Sequence, residues 1–283
     1  MEQVREIPCH EITETVRRLF IAANTELPPD LLKAIRDARE AETSSVACSI
    51  LDQILDNADV ARRESLPLCQ DTGLAVVFAE IGQDVHVVGG DFSLAIREGV
   101  RQAYRDGYLR KSLCDPLSRA NTGDNTPAIL HTEIVPGDQI RIIAVPKGGG
   151  SENMSGVSML LPAAGWEGIR QHILQKVAQG AANACAPVLV GLGIGGAMET
   201  AVVLARRALL RTIGDPNGSD ERLRDLERVL LADINALGIG PQGLGGRTTA
   251  LAVHVEMAPC HIASLPVAFQ LQCHAVRHME AIL

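Results

Sequence analysis

The texture of this chain changes near residue 60, and that change constrains the fold more than any other feature. Before it, apolar residues recur at helical spacing. Ile12, Val16, Leu19 and Phe20 share one helical face. Pro29 suits a helix start ahead of Leu31, Leu32 and Ile35. Val46, Ile50, Leu51, Ile54 and Leu55 mark a third helix, with Ser44 or Ser45 placed to cap it. After residue 60, strand patterns alternate with helical ones. Strands are predicted over 74–81, 85–88, 128–135, 139–145, 155–161, 188–190, 248–257 and 262–271. Helices are predicted over 92–104, 166–184, 197–210 and 219–237. The strands at 128–135 and 139–145 flank Pro136-Gly137-Asp138 and read as a hairpin. Such interleaving predicts an α/β fold: mixed β-sheets flanked by helices, with a helical N-terminal segment. With no linker or repeat in view, residues 1–283 are expected to form one domain, 1–60 as helical lead-in and 61–283 as mixed α/β core. The loop tip is expected near 215–218. The apolar residues 279–283 suit either a partner chain or a buried terminus.

Composition narrows the function classes. Aromatic residues make up only 2% of the 283, so Leu, Ile, Val and Ala must fill the core. The net charge is −8 and no run of Lys or Arg exceeds two, which argues against nucleic-acid binding. The first residues carry acids and no apolar stretch, unlike a signal peptide. The longest uncharged stretch, 177–198, approaches the length of a membrane span but includes Gln179, Asn183, Pro187 and several glycines. A cytoplasmic protein that engages neither membrane nor nucleic acid is expected.

The glycines cluster. Gly191-Leu-Gly-Ile-Gly-Gly196 matches G-x-G-x-x-G after a strand and before a helix, the context of a dinucleotide site. Gly238-Ile-Gly-Pro-Gln-Gly243 matches it too, which shows how little the pattern specifies. Lys147-Gly148-Gly149-Gly150-Ser151-Glu152-Asn153 is less ordinary. Three adjacent glycines expose backbone N–H groups beside a positive charge, a concavity suited to a carboxylate or phosphate.

Seven cysteines are present, an odd number in a long chain, so a disulfide scaffold is not expected. No C-x-x-C occurs. Cys69, in Pro67-Leu-Cys-Gln-Asp-Thr-Gly73, has polar neighbours in a loop bounded by proline and glycine. Cys185 lies in Asn183-Ala-Cys-Ala-Pro187, between a helix end and a buried strand. Cys273 ends a strand in Gln272-Cys-His274. Cys9, Cys48, Cys114 and Cys260 lack comparable settings, and Cys48 lies among the apolar positions of a helix. Spacing alone does not bring three distant cysteines together.

The segments Leu68-Cys-Gln-Asp-Thr-Gly73, Lys147-Gly-Gly-Gly-Ser-Glu-Asn153, Asn183-Ala-Cys185, Gly238-Ile-Gly-Pro-Gln-Gly-Leu-Gly-Gly246 and Cys273-His-Ala-Val-Arg-His278 together resemble the class I, iron–sulfur-dependent fumarate hydratases. More narrowly they resemble the alpha subunit of the two-subunit form, a family that also contains the L(+)-tartrate dehydratase alpha subunit. The resemblance runs from about residue 30 to the end. It implies a [4Fe–4S] cluster held by Cys69, Cys185 and Cys273, with one iron left for substrate. It implies proton transfer by Asp71 and His261. It implies contacts to a small dicarboxylate from Gln70, Arg110, Lys147, Gly148, Gly149 and Gly150. Single-chain members continue into a second domain, so the resemblance implies a separate beta subunit and a hetero-oligomer. The lysine ahead of the glycines is closer to the fumarases than to the tartrate enzymes. Two other readings remain open: a non-catalytic iron–sulfur sensor or scaffold, and a nucleotide-binding oxidoreductase.

Overall fold

The computed structural model describes residues 4–215, 220–275 and 278–283. In chain order the elements are β1 (Arg5–Pro8), α1 (Cys9–Thr25), α2 (Pro29–Ala41), α3 (Ser45–Glu64), β2 (Leu74–Gly82), β3 (Val85–Val88), α4 (Phe92–Asp106), β4 (Ile129–Val135), β5 (Ile140–Lys147), α5 (Gly149–Asn153), β6 (Gly156–Leu160), α6 (Gly165–Gly180), β7 (Val188–Gly195), α7 (Met198–Ala208), α8 (Glu221–Ala236), β8 (Ala250–Ala258), β9 (Leu265–Gln272) and β10 (Met279–Ile282). The fold is α/β with mixed sheets, as predicted. The predicted loop tip at 215–218 lies largely outside the described residues, as does the start of the helix expected from 219. The chain divides into two compact units. The first comprises Met1–Leu27, Ala58–Gly149 and Arg277–Leu283, the second Pro28–Asn57 and Gly150–Val276.

In the first unit, α1 packs on β5 and β10 of a four-stranded sheet of order β10-β5-β2-β4, α4 packs on α1, and β1 pairs in parallel with β3. Ile12, Val16 and Phe20 meet Ile96, Val100, Tyr104, Ile140 and Ile142 in the core. β1 was not foreseen in a segment that reads as helical; four residues are too few to show a period of two. The predicted hairpin does not form. β2 lies between β4 and β5, parallel to the first and antiparallel to the second. The reason is burial. Residues 75–79 of β2 are buried throughout, so β2 takes a strand on each side, whereas β4 is largely exposed and suits an edge. The turn after β4 wraps the end of β2 instead: Gln83 N–H donates to Val135 O, and Asp84 N–H to Gly137 O. Residues 279–282 form an edge strand antiparallel to β5, closed by reciprocal Ile140–Leu283 backbone bonds.

In the second unit the sheet order is β6-β9-β7-β8. One face packs against α6 and α8, through Ile173, Val177, Leu230 and Ile234 on Val190, Leu192, Val255 and Phe269. The other packs against α7 through Ala201, Ala205 and Ala268. The run Gly191-Leu-Gly-Ile-Gly-Gly196 was expected to follow a short strand at 188–190. β7 instead continues to Gly195, buried along its length. A Cβ on Gly193 would lie 1.9 Å from the Ala201 carbonyl oxygen, and one on Gly191 2.2 Å from that of Ala205. These glycines let a helix backbone approach a strand backbone. That close packing gives Gly191 and Gly193 a structural use in a motif whose pattern specifies little.

Among the described residues, no helix is long and apolar enough to cross a membrane.

Candidate active site

In the first unit the loop before β2 is held on every side. Leu68 N–H donates to the carbonyl of the buried Asn24, at 2.8 Å. Thr72, itself buried, donates from Oγ1 to the Arg110 carbonyl (3.0 Å). The Tyr104 hydroxyl sits 2.9 Å from the carbonyl oxygens of both Thr72 and Gly73. Asn125 donates to the Gly73 carbonyl and accepts from the N–H groups of Ser112 and Leu113. Gly73 adopts φ +78, and a Cβ there would lie 2.6 Å from the Lys147 carbonyl carbon, so only glycine fits. This scaffold presents Cys69 half-buried and Gln70 exposed, with Cys69 Sγ 3.5 Å from Gln70 Oε1.

Asp71 spans two candidate segments. Its Oδ1 accepts from Gly73 N–H (3.0 Å) and its Oδ2 from Gly149 N–H (2.7 Å). The carboxylate therefore ties the Cys69 loop to the glycine segment after β5. One of the three glycine amides expected to face substrate is engaged by Asp71. Lys147 is only 2% exposed, at the end of β5, where its charge lies within the protein. Arg110 is exposed.

In the second unit, Cys185 and Cys273 lie at one end of the sheet. β7 and β9 are antiparallel with Leu189 opposite Gln272, so the residues before β7 and after β9 emerge together. Cys185 is exposed and adopts φ +59, a left-handed conformation that costs a non-glycine residue about 1–2 kcal/mol. Its carbonyl lies 3.1 Å from His274 Nδ1. The next carbonyl, of Ala186, accepts from both the backbone N–H (2.8 Å) and the side-chain amide (3.2 Å) of Gln242. Gly150 lies beside the same segment; a Cβ on it would be 3.6 Å from the Asn183 carbonyl. Cys273 is half-buried. Part of its motif, residues 276 and 277, lies outside the described residues.

The second glycine match, 238–246, braces this loop, with Glu42 anchoring its far end. The buried Glu42 accepts from Thr43 and Ser44 N–H at the start of α3 through Oε1, and from Arg247 N–H through Oε2 (2.7 Å). Burial pushes this carboxyl upward, but amide bonds from Ser44, Arg247 and Thr43 outweigh it and hold it below the usual carboxylate range. Ser44 also accepts from Ala47 N–H at 3.4 Å, the predicted cap. A depressed folded-state pKa stabilises the protein fully above the unfolded value of about 4.3, and that stability is lost as pH falls through the folded value. Glu42→Gln is therefore expected to cost about 1–3 kcal/mol at neutral pH. The difference should shrink in acid; denaturation of both proteins across pH 3–7 (approximately the range set by these values) checks it, and a constant difference would refute it.

His261 is exposed in the turn between β8 and β9. Its Nδ1 accepts from Ala263 N–H (3.1 Å), so the neutral ring carries its proton on Nε2. None of the seven cysteines forms a disulfide. Among the described residues, no three His, Cys, Asp or Glu side chains gather as a metal-binding group. Tyr104, Asn125 and Gln242 were not anticipated. Tyr104 and Asn125 act through main-chain carbonyls and amides distant in sequence. Asn125 (φ +62) and Gln242 (φ +54) are unusual in their backbone geometry, which the residue type does not announce.

The sequence model of the fumarate hydratase (Fumerase) family matches residues 13–282. A protein of Methanocaldococcus jannaschii provisionally named L(+)-tartrate dehydratase subunit alpha is 41% identical over 273 residues, covering 94% of this chain and 95% of its own. The L(+)-tartrate dehydratase subunit alpha of Escherichia coli K12 is 33% identical over 280 residues, 98% of this chain and 92% of its own. An α/β chain matched almost end to end in this way belongs to the fumarate hydratase family.

Proposed function

We propose that this chain is the cluster-bearing alpha subunit of a hydro-lyase that reversibly dehydrates L-malate to fumarate. The observation that carries the reading is Cys185. Its exposed thiol is kept on a left-handed backbone that glycine would adopt more cheaply, and its carbonyl is tied to the residue after Cys273. A strained position that retains a thiol points to use of that thiol. The donor set fits an iron–sulfur cluster: Cys69, Cys185 and Cys273 form no disulfide, each stands at a loop or strand end, and thiolates are the ligands such clusters take. These three would hold a [4Fe–4S] cluster. When bound, the cluster supplies a Lewis acid for the substrate's hydroxyl, which is otherwise a poor leaving group.

The chain's own residues do the rest. Arg110, exposed, grips a substrate carboxylate in a bidentate pair. Gln70 donates to the substrate from beside Cys69. The buried charge of Lys147 and the amides of Gly148, Gly149 and Gly150 favour an anion at the glycine segment. Asp71 holds the loop through Gly73 and Gly149 and accepts or returns a proton at its carboxylate. His261 offers its Nε2 for the same traffic. In the reaction one C–H and one C–O bond break, a C=C bond forms, and water leaves. A separate beta subunit completes the site in a cytoplasmic hetero-oligomer and supplies the remaining proton acceptor.

A second reading has a specific observation behind it. The relatives named above carry the name L(+)-tartrate dehydratase, so tartrate is the alternative substrate. The test is to reconstitute the chain anaerobically with iron and sulfide and add its candidate beta subunit. Fumarate is then followed from L-malate and oxaloacetate from L(+)-tartrate. Malate turnover should appear and fall to background in Cys69→Ala with the complex intact. Full activity in that variant would sink the cluster reading. Turnover of tartrate alone would select the second substrate, and a reconstituted complex inert to both would favour the sensor.

A further inference from the structure

We propose that His274 is a positioning residue that couples the two cysteines of the second unit, and that its Nδ1–H bond to the Cys185 carbonyl fixes their spacing before any metal binds. The inference rests on the cluster reading and extends it to a residue that no motif role assigns. Cys273 is the first residue after β9, and His274 follows it. The ring reaches 89 residues back along the chain to the carbonyl of Cys185, at 3.1 Å. A carbonyl only accepts, so Nδ1 carries the proton. The neighbouring Ala186 carbonyl is held twice by Gln242. Both carbonyls that follow the strained Cys185 backbone are thus anchored from outside the loop, and one anchor is the covalent neighbour of the other cysteine. The β7–β9 register brings the two chain ends together, and the His274 bond fixes their relative setting. Outer partners that orient metal ligands are worth about 10–100-fold in metal affinity when removed.

The test uses the full chain reconstituted anaerobically with iron and sulfide, and needs no turnover. Iron and acid-labile sulfide per chain are counted, and the decay of visible cluster absorbance is followed under excess EDTA. His274→Ala is expected to lose its cluster about 10–100-fold faster than wild type. His274→Asn, whose side-chain amide can donate to the same carbonyl, should recover most of the wild-type lifetime. Thermal unfolding of the cluster-free proteins, measured alongside, should move little between the two variants. Cluster loss at the wild-type rate in His274→Ala would overturn the positioning role and leave the cluster reading standing. Equal impairment of the Ala and Asn variants would also overturn it, because the donated bond would not be what matters. If His274→Ala fails to fold, the Asn variant alone decides: a wild-type lifetime supports the role and a shortened one refutes it. A wild-type chain that assembles no cluster would overturn both.

Discussion

Asp71→Ala is expected to lower malate turnover about 10²–10⁴-fold, the range for losing a positioned proton-transfer group, and to destabilise the first unit as well. The two effects have separate origins. The carboxylate accepts from Gly73 N–H through one oxygen and from Gly149 N–H through the other. Alanine leaves both amides without that acceptor, at about 1–3 kcal/mol for each one kept from water. The loop that presents Cys69 and Gln70 then loses its tie to the glycine segment. Asp71→Asn separates the roles. Its single carbonyl oxygen keeps one amide bond, while its NH₂ faces the other donor and the group can no longer exchange a proton. Denaturation midpoints should place Asn between wild type and Ala, whereas turnover of the reconstituted complex should be low in both. An Asn variant with wild-type turnover would leave Asp71 as a tie only.

Gly193→Ala is expected to destabilise the second unit by about 3 kcal/mol or more, toward the upper end of overpacking effects. The added Cβ would fall 1.9 Å from the Ala201 carbonyl oxygen and 2.5 Å from the Ala205 amide nitrogen. Both are backbone atoms in a packed helix, so no side chain can turn aside; α7 would have to lift from the sheet. Thermal or urea unfolding checks it. An unchanged midpoint would show that α7 and β7 do not approach as closely as described.

The helices were legible because their signal is local. Ile12, Val16, Leu19 and Phe20 recur at helical spacing whatever surrounds them, and all four are buried in α1. The same holds for the strands at 74–81 and 85–88. Strand partners were not legible. Residues 128–135 and 139–145 suited a hairpin by nearness and turn chemistry, but β2 needed a neighbour on each side and separated them. Loop-closure entropy grows slowly with length, so burial outweighs nearness.

The site divides along the same line. Cys69 stood out in sequence because polar neighbours, a proline and a glycine mark an exposed loop. Cys185 and Cys273 were singled out by ordered motifs. Only the tertiary structure shows the left-handed backbone at Cys185 and its tie to His274. The clearest case is glycine. The sequence by itself determined where the glycines cluster, the helical and strand periods around them, and a core built from Leu, Ile, Val and Ala. It did not determine what each glycine is for. Gly191 and Gly193 matched a nucleotide motif, yet they serve a helix crossing a strand. Composition and period are properties of consecutive residues, whereas a glycine's use depends on which distant backbone comes within 3 Å of it. Only the folded chain decides that.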